Sequence, residues 1–160
     1  MRFYRDDAEI IKKIAFKINT MYPTEEEKIK AVMNYVLFTS SNPDGLIEYV
    51  PDILQPTCRR ADCKKDPVTA IAEGYGDCEE LGATNASILK AMGIPSQVVN
   101  FGWLWDNIKK KWVGHVWVEA WDDKNMYIIE TTVPEVYIFD INENPYEVLT
   151  EYIPIDYVRG

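Results

Sequence analysis

"GYGDCEELGATNASILKAMG", residues 74–93, is the stretch whose reading decides the fold. Cys78 stands among acids where a helix begins. Asp77 can cap that helix, Leu81, Ile88, Leu89 and Met92 give it an apolar stripe, and Gly93 stops it. A thiol at a helix N-terminus sits in a positive partial field that favours thiolate. The first-turn N–H groups there can also receive an oxyanion. Asp77, Glu79 and Glu80 work the other way, because nearby negative charge disfavours a thiolate. Free cysteine is also among the most buried residue types. Cys78 is therefore a packed core residue or a nucleophile that needs a base.

Upstream, "DPVTAIAEG" reads as a short helix, with Asp66 as cap, Pro67 at its first position and Gly74 at its end. Two longer helices precede it within residues 1–40. In one, Ile10, Ile11, Ile14 and Ile18 share a stripe that Pro23 ends. In the other, Thr24 and Glu27 stand at capping-box spacing and Ile29, Val32, Met33 and Val36 face inward. Residues 41–66, rich in Pro, Asp and Ser, read as a long loop, which in a compact chain is usually functional or ordered by the rest of the fold.

Downstream the character changes. "SQVVNFGWLW", "KWVGHVWVEAW", "MYIIETT" and "VYIF" are rich in Val, Ile and aromatics, with "DNIKKK" and "DDKN" as turns between them. They read as antiparallel strands joined by hairpins. "EYIPIDYV" reads as an edge strand, because Pro154 cannot donate to a central ladder. Helices first and strands later imply an α+β fold, with the nucleophile-bearing helix packed on an antiparallel β-sheet, in a single domain over residues 1–160.

The chain of 160 residues holds 26 acids against 17 bases, a formal net charge of −9. Such a charge excludes a generic binder of nucleic acid or anionic membrane. The short runs Lys109–Lys111 and Lys64–Lys65 read as solvated turns. "MRFYRDDAEI" carries no secretory signal and no apolar run approaches membrane-spanning length, so the expected location is cytoplasmic. Of the three cysteines at least one must be free in a monomer. Cys58 and Cys63 in "CRRADC" can join, hold a metal, or be two ordinary loop thiols. The last is the favoured reading, since two cysteines do not complete a zinc site.

His115 is the only histidine. On its strand it shares a face with Val113, Trp117 and Glu119. A strand histidine is commonly structural, yet this one is the only imidazole available to take the Cys78 proton and pass it to a leaving group. A third group should orient its other nitrogen. Glu130, at the end of "MYIIE", is the candidate, because a hairpin around "DDKN" brings 126–130 beside 115–121. The competing reading is a surface glutamate at a strand end.

Three ordered segments, "DPVTAIAEGYGDCEELGATNASILKAMGIPSQVV", "GHVWVEAW" and "YIIETT", resemble the transglutaminase-like superfamily, with its papain-type cysteine chemistry. Pro67, Gly74, Gly76, Asp77, Cys78, Gly93, Ile94, Pro95, His115, Trp117 and Val118 stand in matching places over residues 67–132. The resemblance implies a Cys–His–acid triad of Cys78, His115 and Glu130, with Glu where the family usually has Asp. It implies thiol-dependent acyl transfer on amide bonds of a protein or peptide substrate. Hydrolysis of cysteine-protease type is favoured; the alternatives are transglutaminase cross-linking and a catalytically inactive binding module. Bacterial members often carry an aromatic pair before the proline that matches Pro67, where this chain reads "DCKKDP". Gln55 or Tyr49 from the long loop, with Trp117, are the candidate substrate and oxyanion residues. Trp103, Trp105, Trp112 and Trp121 can line a cleft, although strand aromatics are more often core. No cofactor is required. A calcium site near Asp77, Glu79 and Glu80 is the alternative to a merely capped and solvated first turn.

Overall fold

The computed structural model describes residues 3–56, 58, 64–106, 108–142 and 157–159, and of these 100–106, 113 and 157–159 as backbone only. Helices α1 (Glu9–Met21) and α2 (Glu25–Val36) come first. Ile11, Ile14, Ala15 and Ile18 are buried on α1, whereas Ile10 is 40% exposed and leaves the expected stripe. Thr24 caps α2 by accepting from the Glu27 N–H at 3.2 Å. Helix α2 stops at Val36, because Leu37–Phe38 turn into a strand, β1.

The described part of the stretch 41–66 is more ordered than a loop reading allows. It contains β2 (Ile47–Tyr49) and a 3-10 turn (Asp52–Leu54). Helix α3 (Pro67–Glu73) starts on the Asp66 side chain and ends at Gly74, whose φ of 81° is left-handed. β3 (Tyr75–Gly76) follows. β1, β2 and β3 form a small parallel sheet in that order. The Glu48 N–H donates to Gly74 O at 2.9 Å and the Val50 N–H to Gly76 O at 2.8 Å. Such parallel pairing joins segments distant in the chain, and no local pattern announces it.

Helix α4 (Cys78–Ala91) is the centre of the molecule. It packs against β4 and β5 on one side and against α1, α2 and α3 on others. Every residue from Glu80 to Leu89 is buried, so the single apolar stripe read from the sequence is a closed cylinder instead. The polar members are satisfied locally: Thr84 Oγ1 donates to Glu80 O at 2.7 Å, and Asn85 Nδ2 to Leu81 O at 2.8 Å. Small residues let the sheet come close; a Cβ at Gly82 would lie 3.3 Å from Val116 Cγ1. Met92, expected in the stripe, is the C-terminal cap and only partly buried.

The second sheet is formed by β4 (Ser96–Asp106), β5 (Lys111–Trp121), β6 (Asn125–Glu130), β7 (Glu135–Asp140) and β8 (Tyr157–Arg159). Its order is β7-β6-β5-β4-β8, and its ladders are antiparallel. β8 is an edge strand, as expected for the C-terminal segment; Pro154 lies outside the described residues. Asp122 shapes the β5–β6 turn by accepting the N–H groups of Lys124 and Asn125. Alternation along the strands sends Val98, Val116, Val118, Ala120, Tyr127 and Ile129 into the core with α1, α2 and α4. The other face buries Val99, Trp117, Met126, Ile128 and Phe139. A fully buried Ile or Leu side chain in such a core contributes about 1.5–3 kcal/mol. Trp117 is fully buried and Trp112 is 42% exposed, while the Trp103 and Trp105 side chains lie outside the described set. No helix among the described residues is long and apolar enough to cross a membrane.

Candidate active site

The nucleophile candidate comes from the junction of β3 and α4. Asp77 is the N-cap, its carboxylate accepting the Glu79 N–H at 2.9 Å. Cys78 is the first helical residue and a free thiol, with the Val116 backbone N–H directed at it from β5. The helix-terminal field does not prevail. Burial first, then Asp77 and Glu79, push the thiol up to about 12, with Glu130 adding and the Val116 N–H opposing.

The base candidate comes from β5. His115 Nε2 and Glu130 Oε2 are 2.7 Å apart, with side chains 12% and 4% exposed. The β5–β6 register pairs Val118 with Ile129, and one further step sets Glu130 opposite Trp117. His115 is thus diagonal to Glu130, two residues further along the same face, where a long carboxylate reaches. The β4–β5 register slips between Val99 and Gly102, opposite the stretch from Trp117 to His115. Bulges of this kind bend a strand and re-aim side chains beside sites. The Trp117 ring lies 6.4 Å from the His115 ring, tilted by 35°. Fully buried, Trp117 backs the imidazole instead of lining an open cleft.

Of the two oxyanion candidates, the structure separates one from the other. Gln55 is 1% exposed, and its amide nitrogen donates to Val50 O at 2.9 Å and Asp52 Oδ1 at 3.0 Å. Both amide hydrogens hold the 3-10 turn in place, so Gln55 has no donor left for a substrate oxygen. Tyr49 pairs with Gly76 across β2–β3 and is 44% exposed. Burial of its ring, then the fields of Cys78, Asp77, Asp52 and Glu130, raise the phenol above its usual range. It remains a hydroxyl donor.

One member of this neighbourhood was invisible in the sequence. Asp52, Asp77 and Glu80 offer carboxylate oxygens that all lie within 4.8 Å of one another. Gly76 permits this approach, since a Cβ there would be 2.8 Å from Glu80 Cβ. Glu80 is 2% exposed and its Oε1 has no hydrogen-bond partner among the described residues. Burial first, then the hydrogen bond and charge of Asp77 and the charge of Asp52, push its carboxyl up to about 9, against the pull of Lys65. Three such oxygens suit a hard divalent cation such as calcium. The grouping takes Asp52 where the sequence offered Glu79. Lys65 is no solvated turn residue: it pairs with Glu73 at 2.5 Å and lies 4.0 Å from the Tyr75 ring centroid.

Cys58 is disulfide-bonded, so it is not an ordinary loop thiol; Cys63 lies outside the described residues. A groove of about 710 Å³ runs between α1 and α2, past Tyr22, Lys30 and Tyr35. It has neither cysteine nor histidine in its lining, and the chemistry lies at the start of α4.

The chain is matched at family level. The model of the transglutaminase-like superfamily covers residues 12–130. The chain belongs to that superfamily. No curated protein matches this transglutaminase-like chain in sequence. Among solved structures, a candidate cysteine protease from Cytophaga hutchinsonii is 14% identical, with a TM-score of 0.55 over 100% of this chain and 49% of its own. A TGase is 16% identical, with a TM-score of 0.50 over 94% of this chain and 37% of its own. At such identity the likeness is one of fold. The transglutaminase-like chain spans less than half the length of either protein.

Proposed function

We propose that this chain performs thiol-dependent acyl transfer on amide bonds, with peptide or amide hydrolysis as the reaction. The observation that carries the proposal is the 2.7 Å pair of His115 Nε2 and Glu130 Oε2 on the strand whose Val116 N–H faces the Cys78 sulfur. With Nε2 given to the carboxylate, Nδ1 is the nitrogen that takes the thiol proton. The sulfur attacks the carbonyl carbon, and the Cys78 N–H and Tyr49 hydroxyl receive the oxyanion. The imidazolium then protonates the leaving amine as the C–N bond breaks, leaving a thioester. Water, deprotonated by the same imidazole, attacks the thioester, releasing the acid and the thiol. A lysine amine in place of water gives a cross-link; water is favoured because it needs no second recognition surface.

One observation favours a second reading, a peptide-binding module without turnover: the thiol is held protonated by burial and acids. The deciding experiment incubates the protein with a mixture of peptides and follows new termini by mass spectrometry. Cleavage lost in both Cys78→Ala and His115→Ala is the expected result. Incorporation of a fluorescent primary amine would indicate transamidation, and neither reaction with retained peptide binding would indicate the module.

A further inference from the structure

Glu130 stands where the superfamily resemblance calls for aspartate, and the extra methylene gives its carboxylate another rotatable bond. Something must hold it. Its Oε2 meets His115 Nε2 at 2.7 Å. Its Oε1 accepts twice from one residue two places on: from Thr132 Oγ1 at 3.0 Å and from the Thr132 backbone N–H at 3.3 Å. The amide contact is long for a hydrogen bond, so the hydroxyl is the stronger of the two. The adjacent Thr131 contributes nothing comparable: it is fully buried and its Oγ1 has no hydrogen-bond partner among the described residues.

We infer that Thr132 is a positioning residue: its hydroxyl clamps the spare oxygen of Glu130, fixing the carboxylate plane so that the longer acid holds His115 in the Nε2–H tautomer. The inference rests on the proposed acyl-transfer site for its purpose, but not for its geometry. A carboxylate engaged on both oxygens has one orientation, and an imidazole hydrogen-bonded to it has one tautomer. Without the hydroxyl, Oε1 loses the shorter of its two Thr132 contacts. The carboxylate can then rotate away from Nε2, and the tautomer preference weakens.

The lone histidine makes the test direct, because every imidazole signal in a nitrogen-15 NMR spectrum belongs to His115. Three proteins are compared: wild type, Thr132→Val, which removes the hydroxyl and keeps the branched shape, and Thr132→Ser, which restores the hydroxyl. Thermal melts and far-UV circular dichroism establish that each is folded; Thr132 is only partly buried, so both substitutions are mild. The Nε2–H tautomer should dominate in wild type and Thr132→Ser, and Thr132→Val should show a mixture. In turnover, Thr132→Val should lose about tenfold in kcat, with KM little changed, the low end of what one charge-assisted hydrogen bond supplies. Thr132→Ser should stay within about twofold of wild type. An unchanged tautomer in folded Thr132→Val, or a Thr132→Ser protein as impaired as Thr132→Val, overturns the clamp. A shifted tautomer in a protein inert towards amides supports the clamp and removes the hydrolytic reading instead, so the two failures are distinct.

Discussion

The two halves of the candidate site are prepared very differently. The imidazole half is finished before any substrate arrives: His115 is paired to Glu130, Glu130 is held on its other oxygen, and Trp117 backs the ring. The sulfur half is not. Cys78 sits at a helix start that should favour thiolate, yet burial and the acids around it hold the proton on. The contrast teaches that the helix-terminal field, worth about 0.3–1 kcal/mol for a surface charge, cannot offset desolvation and several nearby carboxylates. Chemistry here should proceed by proton transfer to the waiting imidazole during attack, not from a resting thiolate–imidazolium pair.

Removing either half outright should have the largest effect. Cys78→Ala should eliminate thioester formation, read as loss of peptide cleavage by at least about ten-thousandfold. Cleavage that survives would mean that the sulfur is bystander packing. Glu130→Ala should cost about a thousandfold in kcat while leaving the fold intact by circular dichroism, because the base loses its orientation. A loss in KM alone would contradict a prepared imidazole half.

The difference between the halves can also be read without substrate. Iodoacetamide alkylation of Cys78 should climb about tenfold per pH unit from pH 7 to 10 with no plateau, since a thiol raised to about 12 ionises only beyond that range. A plateau already present at pH 6–7 would show a preformed ion pair. Asp77→Asn keeps a capping oxygen but removes a negative neighbour, so alkylation at fixed pH should rise by roughly tenfold.

The smallest effect is on stability. Glu80 loses its proton near 4.5 when unfolded but only at about 9 when folded. Between those values the folded state binds more protons, so stability present below pH 4.5 is lost as pH rises towards 9. Glu80→Gln should remove that slope. Its melting temperature should exceed wild type at pH 8, by the equivalent of about 1–2 kcal/mol, and match it near pH 4. No gain at pH 8 would mean that the acids around the sulfur are relaxed by something other than a shared proton.

Much of this was legible in the residue order. The caps at Thr24, Asp66 and Asp77 all act as their spacing implied, because a cap is a contact over two or three residues. The antiparallel hairpin that joins His115 to Glu130 was legible for a similar reason: its turn is short and its strands alternate. The diagonal offset was not, since register depends on how the whole sheet closes on the core. Asp52 was missed altogether. It stands in a segment with the composition of a loop, and what makes it part of the site is a parallel ladder from β2 to β3 that carries no periodic signature. Gln55 was read as a free donor because its two acceptors, Val50 O and Asp52, are brought to it only by the folded turn.

The sequence by itself therefore determined the parts: a cysteine at the start of a helix, one histidine on a strand, an acid at the end of the next strand, and the α+β order that holds them. These follow from local propensity, capping and alternation, which act within a turn or a hairpin. The tertiary structure decided their electrical state. Burial of the sulfur and the contact of Glu130 with His115 are products of the whole fold: the first raises the thiol above its usual range, and the second holds the imidazole on its carboxylate.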